Sequence, residues 1–197
     1  MVEVEDNADR SGAADRPAAG LEVIGCGNPF AGDDGAGAEI VRRLQARGDC
    51  GARLRMSWTA GVELLDIFSE ADAVLFVDAV SSGEPPGTLH LVPLPWAGLQ
   101  PRGLAAFSSH GWGLLETLQL ARALRRRIPR LALLGVEIGS LGPGERRSPA
   151  VERAVGLAVE RFSRLAALLS RQAASQWQRP RQFAPDDNSF PGDEQCA

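Results

Sequence analysis

The stretch AVLFVDAVSSGEPPGTLHLVP, residues 73–93, decides how this chain folds. Its first eight residues are a continuous apolar run broken by a single charge, Asp78. Strict alternation of apolar and polar residues would mark a strand with one wet face. An unbroken run of this length marks a strand covered on both faces, as inside an α/β sheet. SSGEPPG then punctuates the chain as a turn, and TLHLVP (88–93) begins a second strand almost at once. A parallel return would need a crossover of about a dozen residues or more. The connection is too short for that, so the second strand runs antiparallel to the first.

The pattern extends in both directions. Upstream, LEVIGC (21–26) reads as a strand. AEIVRRLQAR (38–47) reads as a helix with Ile40, Val41 and Leu44 on one face and arginines opposite. RLRMSW (53–58) alternates Leu54, Met56 and Trp58 as a half-buried strand, and VELLDIFSEA (62–71) is a short helix. Downstream, PLPWAGLQPRGLAAFSS (93–109) is long enough to bring the chain back across the sheet. GWGLLETLQLARAL (111–124) is helical, LALLGVEIG (131–139) is a second buried strand, and SPAVERAVGLAVERFSRLAALLSR (148–171) is a closing helix. Ser148 is placed to cap that helix and Pro149 to occupy its first position. Strands alternating with helices define an α/β fold with a mainly parallel, five-stranded sheet and one antiparallel strand. Residues 1–20 and 172–197 are polar and aperiodic, so they are expected to be disordered tails around one domain at 21–171.

Composition narrows the function. With 197 residues and 44% apolar content, the chain can bury a core. A net charge of −4 offers no electrostatic footprint for nucleic acid. All 21 basic residues are arginine, so the lysine of a Walker loop is missing. Cys26, Cys50 and Cys196 form no CxxC pair, which suits a reducing compartment better than a disulfide framework. No stretch approaches the ~18 apolar residues of a membrane span, and the acidic first twenty residues lack the apolar centre of a signal peptide. The expectation is a cytoplasmic protein without membrane insertion.

The chemistry concentrates in CGNPFAGDDGAG, residues 26–37, between the first strand and the first helix. Its glycines do not have the GxGxxG spacing of a dinucleotide loop, and it carries two adjacent carboxylates. The topology brings Asp34 in this loop, Asp78 at the end of the third strand and His110 at the start of a helix to the carboxyl edge of the sheet. Open α/β folds keep their sites there. Two carboxylates and an imidazole suit a divalent metal of borderline character with open coordination positions. Each residue also has a plainer reading. Asp33 and Asp34 could cap the helix, Asp78 could cap a loop, and His110 could be an ordinary helix residue. Ser109 beside His110 lacks a GxSxG elbow. Glu63, Glu116 and Glu137 read as surface or supporting groups, His90 as a solvated or packed side chain, and the cysteines as core thiols.

Four motifs in one order complete the picture: GCGNPFAGDDGAG (25–37), TAGVELL (59–65), VDAVSSGEPPGTL (77–89) and SSHGWGLLETL (108–118), followed by LLGVEIGSLGPG (133–144). In these the chain resembles the nickel–iron hydrogenase maturation endopeptidases over residues 21–170. The resemblance implies a three-layer fold, a twisted sheet with helices on both faces. It implies removal of a C-terminal extension from the precursor of the hydrogenase large subunit after nickel insertion. The family's metal-contacting positions fall on Asp34, Asp78 and His110, which become the expected catalytic and metal-contacting residues. Nickel is expected to be met in the substrate rather than held permanently. Some members carry Glu where Asp34 stands. Gly27, Asn28, Asp33 and Gly35 are then loop support: the glycines let the backbone turn and leave Asp34 approachable, and Asn28 bonds the loop to itself. The alternatives from other classes are a nickel-binding chaperone that binds the precursor without cutting it, and a small nucleotide-binding α/β module.

Overall fold

The structure, a computed structural model, describes residues 20–48, 51–57, 62–94, 111–139, 146–171 and 181–183. Within them the elements run β1 (Leu21–Gly25), a 3-10 turn (Gly32–Gly35), α1 (Ala36–Arg47), β2 (Arg53–Met56), α2 (Leu64–Glu70), β3 (Ala73–Val80), β4 (Leu89–Pro93), α3 (Gly111–Ala123), β5 (Arg130–Glu137), α4 (Pro149–Arg171) and β6 (Arg181–Phe183). The sheet order is β2-β1-β3-β5-β4-β6. β2, β1, β3 and β5 are parallel, and β4 is antiparallel to β5. β3 is buried at every position, as its unbroken apolar run demands.

The sheet is covered on both faces, which gives the three layers. Alternate strand residues divide into two cores. Leu75 and Val77 of β3 join Ile40, Val41 and Leu44 of α1 and Val155, Phe162 and Leu165 of α4. Val74 and Phe76 join Leu64 and Phe68 of α2 and Leu114 and Leu118 of α3 on the opposite face. Asp78 is even-numbered in the same strand, so it belongs to the face of α2 and α3. At the N-terminus of α4, Ser148 Oγ accepts from Val151 N at 3.4 Å, and Pro149 opens the helix. α1 and α4 are further joined by a charge network. Glu39 holds Arg42 and Arg43, Arg43 reaches Glu152, and Arg147 bonds Glu152 at 3.0 Å.

Three expectations are corrected, and one holds: β4 runs opposite to β3, with β5 between them. β5 is buried along seven of its eight residues, so it takes the interior position, while β4 ends at Pro93 with half-buried residues. The sheet also has a sixth strand. Arg181–Phe183 pairs with Leu89–Leu91, within the segment expected to be a disordered tail. Its ladder is made by backbone groups, which leave no hydrophobic period in the sequence. The tail at 1–19 lies outside the described residues. Met56 is not inward-facing but 53% exposed, because β2 is the outermost strand; Trp58 lies outside the described residues. Finally, neither Asp33 nor Asp34 caps α1. Its N-cap is Gly35, with no side-chain cap bond.

Candidate active site

The loop after β1 is folded by its own sequence. Asn28 Oδ1 accepts from Phe30 N at 3.0 Å, and Asn28 O accepts from Ala31 N at 3.0 Å. This is the local turn that asparagine favours. Asn28 N donates to Asp34 Oδ2 at 2.7 Å, closing the loop on itself. Gly27 has φ +105°, a conformation that side-chain-bearing residues rarely adopt. A Cβ there would lie 1.9 Å from Asp34 O and 3.8 Å from Asp78 Oδ1. Gly27 is therefore the point at which the Asp34 segment and the Asp78 carboxylate meet. Gly37 serves close approach in the same way. A Cβ there would stand 2.1 Å from Val77 O and 2.6 Å from Cys26 O, so glycine lets the first turn of α1 sit on the ends of β1 and β3.

The two adjacent aspartates do different work. Asp33 is 1% exposed. Its Oδ2 accepts from Gly139 N at 2.9 Å and its Oδ1 from Ser148 N at 2.6 Å. It ties the loop to the end of β5 and the entry to α4. Asp34 is half-buried and stays with the loop. Asp78 is 3% exposed, and its Oδ1 accepts from Ala79 N at 2.9 Å. Its charge is felt by Cys26. Burial pushes that thiol far above its ordinary value, and the Asp78 carboxylate pushes it further. Cys26 is thus a core thiol rather than a nucleophile at neutral pH.

Asp34 and Asp78 are accordingly brought to one place. His110 lies outside the described residues; α3, on the face to which Asp78 belongs, begins one residue later at Gly111. Among the described residues no group of three His, Cys, Asp or Glu side chains is placed to hold a metal ion.

A second polar cluster escaped the sequence reading. Glu137 and His90 are both 2% exposed, which decides for the supporting reading of the one and the packed reading of the other. Glu137 Oε1 accepts from Ser82 N at 2.7 Å and Gly83 N at 2.9 Å. Its Oε2 accepts from Ser82 Oγ at 2.6 Å and lies 3.0 Å from His90 Nε2. The cluster pins the β3–β4 turn to the end of β5. A lone glutamate closing an apolar strand was the signal for it, since such a charge must find partners. Glu22 of β1, 0% exposed, is likewise held by Arg53 and Arg55 of β2.

An open, mainly parallel α/β sheet whose glycine loop folds back on the end of the third strand, with Asp34 and Asp78 beside that junction, gives the class. Comparison with known proteins supplies the family. The hydrogenase maturation protease family profile, HycI, matches residues 39–164, a span that includes Asp78 and His110 and begins just after Asp34. The hydrogenase expression/formation protein HupD of Thiocapsa roseopersicina is 35% identical over 146 residues, covering 68% of this chain and 65% of HupD. The hydrogenase 2 maturation protease of Escherichia coli is 31% identical over 154 residues, covering 74% of this chain and 88% of that protein. The solved structure of the E. coli hydrogenase maturating endopeptidase HybD superposes with a TM-score of 0.61 at 27% identity, covering 83% of this chain and 96% of HybD. This chain belongs to the hydrogenase maturation protease family. It spans slightly less than two thirds of the length of HupD. No helix among the described residues is long and apolar enough to cross a membrane.

Proposed function

We propose that this chain is an endopeptidase that removes the C-terminal extension from the nickel-loaded precursor of a [NiFe] hydrogenase large subunit. Family membership supports the reaction class. The observation that carries the site is the meeting of Asp34 and Asp78 at Gly27. Asp34, Asp78 and His110 contact nickel already seated in the substrate, so that loaded and empty precursors are told apart. The metal is cargo of the substrate rather than a resident cofactor. The donor chemistry fits: carboxylate oxygens and an imidazole nitrogen, with no thiolate, make an incomplete shell that binds a free ion modestly.

In the cleavage step a carboxylate of the pair takes a proton from water as general base, and the oxygen adds to the scissile carbonyl carbon. Collapse breaks the C–N bond, and the departing nitrogen takes the proton. The pair thus works as an aspartic-type site whose substrate brings the metal. The work is placed in the cytoplasm.

The test is the mass of the large subunit after incubation of the protein with nickel-loaded and nickel-free precursor. The expected result is loss of the extension from the loaded form alone. Efficient cutting of the nickel-free precursor would remove the nickel-reading role. Stable binding of loaded precursor with no change in its mass would make the protein a chaperone rather than an enzyme.

A further inference from the structure

The amino edge of the sheet, opposite Asp34 and Asp78, carries a charged surface of its own. The stretch RALRRRIPR, residues 122–130, closes α3 and enters β5 with five arginines and no acid. Cations at a helix C-terminus complement its dipole, which accounts for Arg122 in the last turn of α3 and not for the three arginines at 125–127. Those three are exposed. Leu120 and Leu124, one helical turn apart, stand 38% and 53% exposed beside them. Part of the charge is answered within the fold. Asp66 of α2 lies 3.5 Å from Arg126, with both groups largely open to water. Asp72 lies 2.8 Å from Arg127. Its carboxyl is held below the usual range first by that hydrogen bond, with burial opposing and the charge of Arg130 assisting. Arg122 and Arg130 have contacts of their own. Arg125, whose backbone sits in the left-handed region at φ 52°, has no carboxylate partner among the described residues.

The chain arrives at the same edge. Asp72 N and Ala73 N donate to Gly20 O at 2.7 and 3.2 Å, and Arg130 N donates to Asp72 O at 3.2 Å. Arg127 Nη1 donates to Ala71 O at 3.0 Å. Gly20, the start of β3 and the arginine stretch therefore meet in one place. Upstream of Gly20, residues 1–19 hold Glu3, Glu5, Asp6, Asp9 and Asp15 against Arg10 and Arg16. Four of these acids fall in the block at 3–9, which follows Val2 and contains Val4. Nineteen residues reach at most about 65 Å when extended, several times the ~20 Å length of a helix such as α3. The block can therefore reach any part of this surface.

We infer that the acidic segment 1–19 docks, within the same chain, on the arginine stretch that closes α3. Its carboxylates meet Arg125, Arg126 and Arg127, whose guanidinium forks have donors to spare beyond the pairs they already make. Val2 and Val4 cover Leu120 and Leu124. Exposed ion pairs are individually weak. The segment is tethered at Gly20, however, so its local concentration at the arginines is on the order of millimolar, and weak pairs suffice. The surface it covers lies at the opposite edge from Asp34 and Asp78, and the inference is independent of the endopeptidase reading.

The experiment uses the full-length protein. Benzoylphenylalanine is placed at position 124 and, as a control at the carboxyl edge, at position 62. After irradiation, mass spectrometry is expected to map crosslinks from position 124 to residues 1–19 and to find none there from position 62. In about 0.5 M salt, where the screening length is roughly 4–5 Å, the yield should fall at least about fivefold. Arg125→Glu with Arg126→Glu should lower it by a similar factor, and so should Glu5→Arg with Asp6→Arg. Combining the two pairs should restore it, because the charges are exchanged rather than removed. Circular dichroism confirms that each variant is folded. A mixture of isotopically labelled and unlabelled chains separates docking within a chain from docking between copies. Position-124 crosslinks that miss residues 1–19, or that reach those residues in a second copy, would overturn the inference. A yield indifferent to salt, or one that the charge exchange fails to restore, would do the same.

Discussion

The same chemical change at two buried carboxylates should have opposite consequences. Asp33 and Glu137 are 1% and 2% exposed, and each uses both oxygens. Conversion to the amide removes the charge and turns one acceptor into a donor. At Asp33 each oxygen accepts from a backbone N–H, of Gly139 and of Ser148. Neither can become an acceptor, so Asp33→Asn must face one N–H with another. The loss is one charge-assisted hydrogen bond, about 1.5–3 kcal/mol, together with an unsatisfied donor. A net cost of about 3 kcal/mol follows. At Glu137 the two backbone donors, Ser82 N and Gly83 N, share Oε1. Oε2 is met by the Ser82 hydroxyl and His90 Nε2. Both of these can switch, the hydroxyl by rotation and the imidazole by carrying its proton on Nδ1. Glu137→Gln therefore keeps every contact with its donors and acceptors exchanged, at a cost within about 1 kcal/mol. For a chain of this size about 2–4 °C accompanies each kcal/mol. Asp33→Asn should melt about 6–12 °C below the wild type, and Glu137→Gln within about 4 °C of it. Differential scanning calorimetry at neutral pH measures both. Equal losses, or a larger loss at Glu137, would refute the assignment of donors and acceptors on which the calculation rests.

Other substitutions test other parts of the structure. Gly27→Ala places a Cβ into Asp34 O at a positive φ, so the loop must move. Stability should fall by about 2–4 kcal/mol from strain and overpacking, and processing should be lost in the fraction that remains folded. Asp34→Asn, Asp78→Asn and His110→Ala should each abolish processing, read as the mass of the large subunit, and His110→Ala with full activity would separate that residue from the site. Glu39 is held at about 2 rather than 4.5, first by its hydrogen bond from Arg42, with burial opposing and Arg43 assisting. A depressed carboxylate stabilises the fold above its ordinary value and loses that contribution as pH falls through the depressed one. Glu39→Gln should thus lower the melting temperature at pH 7, and the gap to wild type should close between pH 4.5 and 2. Cys26 should resist alkylation by iodoacetamide in the native protein and react only on unfolding, as mass spectrometry will report.

What could be read from the sequence depended on whether the signal was local. The apolar run at 73–80 announced an interior strand, and its single charge announced Asp78. Asn28 and the glycines announced a loop that closes on itself. Ser148 and Pro149 announced the start of α4. Contacts between distant segments left weaker marks. Nothing local says that β5 slips between β3 and β4, since that depends on which strand has both faces to bury. Asp33 looks like a helix cap from its position, yet its partners are more than 100 residues away. The pairing of Glu22 had a trace that could have been followed. Arg53 and Arg55 alternate on β2, so they share one face and require a countercharge on the neighbouring strand. β6 left no trace, because three residues joined through backbone bonds need no hydrophobic period.

The distribution of acids at the carboxyl edge has a physical logic. A site must hold its groups more tightly than a surface loop can by itself. Here the tightening comes from one place, the end of β5. Asp33 binds Gly139 just beyond it, and Glu137, its last residue, binds the turn at Ser82 and Gly83. Ile138 N donates to Val80 O at 3.0 Å, closing the same end against β3. Asp34 is the neighbour of the first anchor, and Asp78 lies in β3 just before the second. The half-buried Asp34 and the buried Asp78 each stand next to one of these two anchors, both made at the end of β5. The consequence is directional. Damage at Asp33 should displace Asp34 before Asp78, and damage at Glu137 should displace Asp78 before Asp34.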